Sequence, residues 1–121
     1  MTATQRNILI VEDEKPLAHA LELKLQHEGF TVSLTSNGRE ALELLGSQHF
    51  DVMLLDLIMP EMDGFQVLEK LKEIQNQPAV FVLSNLSQHE DEEKVLALGA
   101  RKFFIKSDTP LTTIVEEIKK V

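Results

Sequence analysis

Four short apolar runs in this chain are continuous, and a fifth alternates. Residues 7–11 (NILIV), 51–55 (DVMLL), 79–83 (AVFVL) and 102–105 (KFFI) each carry at least three apolar side chains on successive positions, the pattern of strands buried on both faces of a parallel sheet. In residues 31–35, Val32 and Leu34 instead alternate with Thr31, Ser33 and Thr35, which predicts a strand with one less-buried face at a sheet edge. Between the runs lie stretches of helical period. Helices are expected over 15–28, closed by Gly29; over 38–48, with Ala41, Leu42 and Leu45 inward; and over 64–74, with Val67, Leu68, Leu71 and Ile74 on one face. Two more are expected over 88–98, ended by Gly99, and over 110–120, where Leu111, Ile114, Val115 and Ile118 line one side. Strict alternation of strand and helix predicts βαβ units and a single five-stranded parallel sheet. The edge character of the second strand fits a doubly wound, flavodoxin-like α/β fold of order 2-1-3-4-5, with its switch point between the first and third strands.

Each continuous run stops at a polar residue. Residues 7–11 lead into Glu12, Asp13 and Glu14, residues 51–55 into Asp56, residues 79–83 into Ser84 and residues 102–105 into Lys106. Ligands of open α/β sheets bind beyond the carboxyl ends of the strands, so these side chains are expected to share one small volume. Carboxylates gathered there repel one another unless a cation neutralises them, and a hard ion such as Mg2+ accepts one or two carboxylates, waters and a phosphate oxygen. Asp56, at the end of a buried strand, suits a nucleophile that forms an acyl phosphate. Metal and Lys106 would then share charge on the phosphoryl oxygens while Ser84 donates a hydrogen bond to one of them.

Composition narrows the setting. The 121 residues are the size of one domain spanning 1–121, with 43% hydrophobic and 26% charged residues and no stretch of disordered composition. Absence of Cys excludes a disulfide scaffold and a thiolate zinc site. His19, His27, His49 and His89 lack ligand-like spacing, so zinc is excluded on that side too. A net charge of −8 disfavours direct contact with nucleic acid or anionic lipid. No run approaches the roughly 18 apolar residues of a membrane span, and a cytoplasmic protein is expected.

The ordered set Glu12-Asp13, DLIMPEMDG (residues 56–64), Ser84 and Lys106 resembles the receiver domain of two-component response regulators over essentially the whole chain. The resemblance implies that Asp56 accepts phosphate from the phosphohistidine of a sensor histidine kinase or phosphotransfer protein. It implies Mg2+ held by Glu12, Asp13, Asp56 and the backbone carbonyl of Ile58. It further implies a switch in which Ser84 moves toward the phosphoryl group and Phe103 turns inward, signalling to an effector through the fourth helix, fifth strand and fifth helix. A homodimer is a further possibility, with acidic residues 90–93 meeting Arg101 or Lys102 of another copy.

Two positions depart from the usual pattern. Proline commonly follows the lysine, often after a cis bond, whereas Ser107 stands here; a non-proline cis bond costs about 2.5–4 kcal/mol, which leaves the geometry of Lys106–Ser107 open. Ile58 and Leu86, each two residues past a site residue, are apolar and would hinder in-line water, giving a long-lived acyl phosphate. Two other functions compete with the switch. One is an aspartyl-phosphate phosphohydrolase, which would carry a second carboxylate where Ile58 stands; the other is a degenerate receiver that works without phosphorylation.

Overall fold

The computed structural model describes residues 6–59, 62–75, 77–85 and 89–121. In chain order the elements are β1 (Asn7–Val11), α1 (Lys15–His27), β2 (Thr31–Thr35), α2 (Gly38–Ser47), β3 (Val52–Leu55), α3 (Gly64–Leu71), β4 (Ala79–Ser84), α4 (His89–Ala97), β5 (Lys102–Ile105) and α5 (Leu111–Lys119). All strands are parallel and the sheet order is β2-β1-β3-β4-β5, as the apolar pattern predicts.

Strand alternation sorts the core into two layers. Leu9, Val11, Met53, Leu55, Val80 and Val82 face one way and pack with Ala41 and Leu45 of α2, Val67, Leu68 and Leu71 of α3, and Val95 of α4. Ile8, Ile10, Val52, Leu54, Phe81 and Leu83 face the other way, against Leu21 and Leu25 of α1 and Ile114, Val115 and Ile118 of α5. Phe81 and Phe104 stack there with ring centres 6.2 Å apart. Each fully buried aliphatic side chain contributes about 1.5–3 kcal/mol, so the two layers fix the register of the sheet. A one-residue slip would exchange them.

Helix ends follow local chemistry. Gly29 and Gly99, with φ of 96° and 110°, take the left-handed turn after α1 and α4 that a side chain would resist. Asn37 caps α2 by accepting the Glu40 amide, and Asp63 with Gln66 forms a reciprocal capping box on α3. One boundary differs from the periodic pattern by more than a residue: α3 stops at Leu71, not at residue 74. The amides of Lys72, Glu73 and Ile74 bond to carbonyls three residues back, so the chain tightens into turns while Ile74 still packs on the core. The expected helix start at residue 88 lies outside the described residues, as does Pro60.

Among the described residues no helix is long and apolar enough to cross a membrane.

Candidate phosphoacceptor site

Backbone hydrogen bonds carry the sheet one residue beyond its strands and set the site residues in place. The Glu12 amide donates to the Thr35 carbonyl at 3.0 Å, the Asp56 amide to the Val11 carbonyl at 3.0 Å, and the Lys106 amide to the Ser84 carbonyl at 2.9 Å. The three side chains are therefore anchored by the sheet rather than by free loops. Beneath Asp56, the Gly64 amide donates to the Leu57 carbonyl at 2.9 Å and draws the start of α3 against the loop.

Lys106 joins the acidic groups. Its Nζ lies 2.9 Å from both Glu12 carboxylate oxygens, 3.2 Å from Asp56 Oδ2 and 3.1 Å from Glu14 Oε1. Asp56 Oδ1 accepts the Ile58 amide at 3.2 Å, and Glu12 Oε2 accepts the Glu14 amide at 3.0 Å. The side chains of Glu12, Asp56 and Lys106 are 2%, 5% and 8% exposed, so these charges interact with little screening. One ligand oxygen from each of Glu12, Asp13 and Asp56 falls within 4.8 Å of the others.

The charge balance inside is negative. Burial, with the Asp56 charge adding to it, pushes Glu12 up to about 7 against the pull of the Glu14 amide and Lys106. Burial also raises Asp56, opposed by the Lys106 charge and the Ile58 amide and reinforced by Asp13. Lys106 is raised in spite of its burial, because the Glu12 hydrogen bond and the charges of Asp56 and Glu12 hold its proton. One ammonium does not neutralise this many carboxylates. An all-oxygen donor set with uncompensated negative charge fits a hard divalent cation such as Mg2+.

Glu12, Asp13, Asp56 and Lys106 come together. Ser84 is fully buried at the end of β4, and Ile58 is exposed beside Asp56. Phe103 pairs with Val82 in the sheet and packs, half-buried, on the layer under α2, α3 and α4. The Lys106–Ser107 peptide is trans. Lys102 is bound within its own chain to Glu117 at 2.7 Å. Leu86 lies outside the described residues. Glu14, which follows Glu12 and Asp13 out of β1, also reaches the cluster, and the fold adds its particular partner, Lys106.

Residues 8–119 match the family model of the response regulator receiver domain. The chain is 36% identical over 104 residues to the response regulator SaeR of Staphylococcus epidermidis, covering 86% of this chain and 45% of that protein. It is 34% identical over 99 residues to the response regulator ArlR of Staphylococcus aureus, covering 82% and 45%. The chain thus spans about half the length of these curated relatives. Among solved structures, the receiver domain of a signal transduction histidine kinase from Syntrophus aciditrophicus superposes with a TM-score of 0.85 at 32% identity, over 95% of this chain and 88% of that one. A CheY-like receiver domain protein from Methanospirillum hungatei gives 0.90 at 24% identity, over 97% and 93%, and shares the fold.

Proposed function

The chain belongs to the response regulator receiver domain family of two-component systems, and on that premise we propose that it accepts a phosphoryl group on Asp56 and changes its partners as a result. The whole of residues 1–121 acts as one receiver domain in this reading, in the cytoplasm. One observation carries it: the buried Asp56 carboxylate has one oxygen bonded to the Ile58 amide and the other beside Lys106, within an acidic cluster that a lone lysine leaves under-neutralised.

The chemistry follows from these positions. An oxygen of ionised Asp56 forms a bond to phosphorus while the phosphorus–nitrogen bond of the donor histidine breaks and the nitrogen keeps the electron pair. No proton has to leave Asp56 in this step, so no general base is required. Glu12, Asp13, Asp56 and the Ile58 carbonyl would hold Mg2+, which supplies charge neutralisation at the phosphoryl oxygens when bound. Lys106 turns an N–H toward one of those oxygens, and Ser84 offers its hydroxyl to another. The added charge of about −1.5 to −2 then biases the surrounding loops, with Phe103 as the aromatic that follows Ser84.

Receiver domains of this family interact with histidine kinases and effectors. Here the donor is a sensor histidine kinase or phosphotransfer protein, and the effector meets α4, β5 and α5. Net charge of −8 argues against direct nucleic acid contact by this chain, and a homodimer through the same face is compatible with this reading. A phosphohydrolase is disfavoured by Ile58, an apolar residue where a second carboxylate would be needed.

Incubation with Mg2+ and acetyl phosphate followed by intact-mass measurement tests the reading. A single persistent phosphoryl adduct, absent in Asp56→Asn, is expected. Rapid turnover to inorganic phosphate would turn the assignment to a hydrolase, and no adduct at all would turn it to a degenerate receiver.

A further inference from the structure

Glu14 reaches Lys106 from the solvent side. Its side chain is 55% exposed, unlike those of Glu12 and Asp56, yet its Oε1 stands 3.1 Å from the ammonium. Glu14 occupies the N-cap of α1 without making a side-chain cap hydrogen bond. Its carboxylate therefore serves the lysine and not the helix end. An ammonium has three N–H donors and no acceptor, and at Lys106 three carboxylates stand ready to take them.

We propose that Glu14 is a positioning residue that tethers Lys106 in its resting place and thereby sets how readily Asp56 is phosphorylated. This rests on Asp56 being the phosphoacceptor. When an Asp56 oxygen bonds to phosphorus and the donor's leaving group departs with its electron pair, Lys106 has to turn an N–H from a carboxylate to a phosphoryl oxygen. Glu12 and Asp56 belong to the reacting cluster, whereas Glu14 holds the ammonium from outside it. Removing that hold frees the lysine and also lessens repulsion of an anionic donor. A half-exposed ion pair is a weak tether, so the gain in phosphorylation rate is about two- to five-fold.

Two substitutions separate contact from field. Glu14→Gln removes the charge; Glu14→Asp keeps the charge on a side chain one methylene shorter and caps helices better. With acetyl phosphate at saturating Mg2+, a tether predicts that both variants label Asp56 faster than the unchanged protein by that factor. If Glu14→Asp matches the unchanged protein while Glu14→Gln alone is faster, Glu14 acts only through its field and the proposal falls; it falls equally if neither variant is faster. A second readout needs neither metal nor donor: the 15N-resolved ammonium resonance of Lys106 should be sharp in the unchanged protein and broadened by solvent exchange in both variants. Unaltered resonances overturn the tether. Should the unchanged protein fail to label at Asp56, the phosphoacceptor reading fails while the ammonium resonance still decides the tether.

Discussion

Gly64 lies directly against the carbonyl of Asp56: a Cβ built on Gly64 would stand 2.6 Å from that oxygen and 2.8 Å from the Leu57 Cα. Both neighbours are backbone, so neither can swing away as a side chain would. The glycine lets the first turn of α3 press under the loop that presents the Asp56 carboxylate.

Gly64→Ala should therefore destabilise the protein by about 1–3 kcal/mol in urea unfolding, the usual cost of overpacking, and slow labelling of Asp56 by acetyl phosphate. Gly46→Ala is the control. Gly46 lies inside α2 with open space around its Cα, so alanine there should be neutral or stabilising by up to about 1 kcal/mol. Equal effects of the two substitutions would show that close approach at Gly64 is unimportant.

Lys106 is the sole cation contacting Glu12 and Asp56 among the described residues, and all three side chains are nearly inaccessible. Lys106→Met should cost about 2–4 kcal/mol in the metal-free protein, because it strands buried carboxylates, while Asp56→Asn should be neutral or stabilising by relieving repulsion. The two changes should not add. In the Asp56→Asn background the cost of Lys106→Met should shrink by at least about 1 kcal/mol, and an additive double variant would mean that the pair is not coupled.

Much of this arrangement could be read before any coordinates. Continuous apolar runs ending in single polar residues gave away the parallel sheet, because a strand covered on both faces has no polar positions until it leaves the core. The alternation in residues 31–35 marked β2 as an edge for the converse reason. Pairing of Glu12, Asp13, Asp56 and Lys106 followed from topology alone, since parallel strands end on the same side. The end of α3 was hidden: Ile74 keeps helical spacing and packs inward, yet its amide bonds three residues back, and periodicity does not distinguish an α-turn from a tighter one. The pairing of Glu14 with Lys106 in particular was hidden, because the contact spans 92 residues and depends on the length and direction of a lysine side chain.

The raised Glu12 carboxyl links stability to pH and metal. Its folded value of about 7 lies above the ordinary 4.5, so between these limits the folded protein keeps a proton that the unfolded chain releases. The stability this contributes is fully present below about 4.5 and is lost as pH rises through about 7. Mg2+ held by this carboxylate, as proposed, would compete with that proton. Stabilisation by a fixed Mg2+ concentration should therefore grow from about pH 5 to about pH 8, by on the order of 1–2 kcal/mol, as measured by urea midpoints with and without the ion. Glu12→Gln should flatten the dependence. A Mg2+ effect that is the same at both pH values would detach Glu12 from the metal site.

Ile58 joins Asp56 to its environment in two ways: its amide donates to Asp56 Oδ1, while the residue itself is 57% exposed. Hydrolysis of an acyl phosphate on Asp56 requires water to approach in line with the oxygen–phosphorus bond. A branched apolar side chain occupies space there without offering that water a hydrogen bond, whereas an amide side chain would hold it. Ile58→Asn should therefore shorten the lifetime of the phosphorylated protein, by about three- to ten-fold if the substitution is worth up to ~1.4 kcal/mol in the barrier. The urea midpoint should move little, because an exposed side chain seldom matters by more than about 0.5 kcal/mol. Following loss of the phosphoryl mass after removal of acetyl phosphate measures the lifetime directly. Identical decay in both proteins would mean that Ile58 does not restrict water, and that any persistence of the adduct has its origin elsewhere in the site.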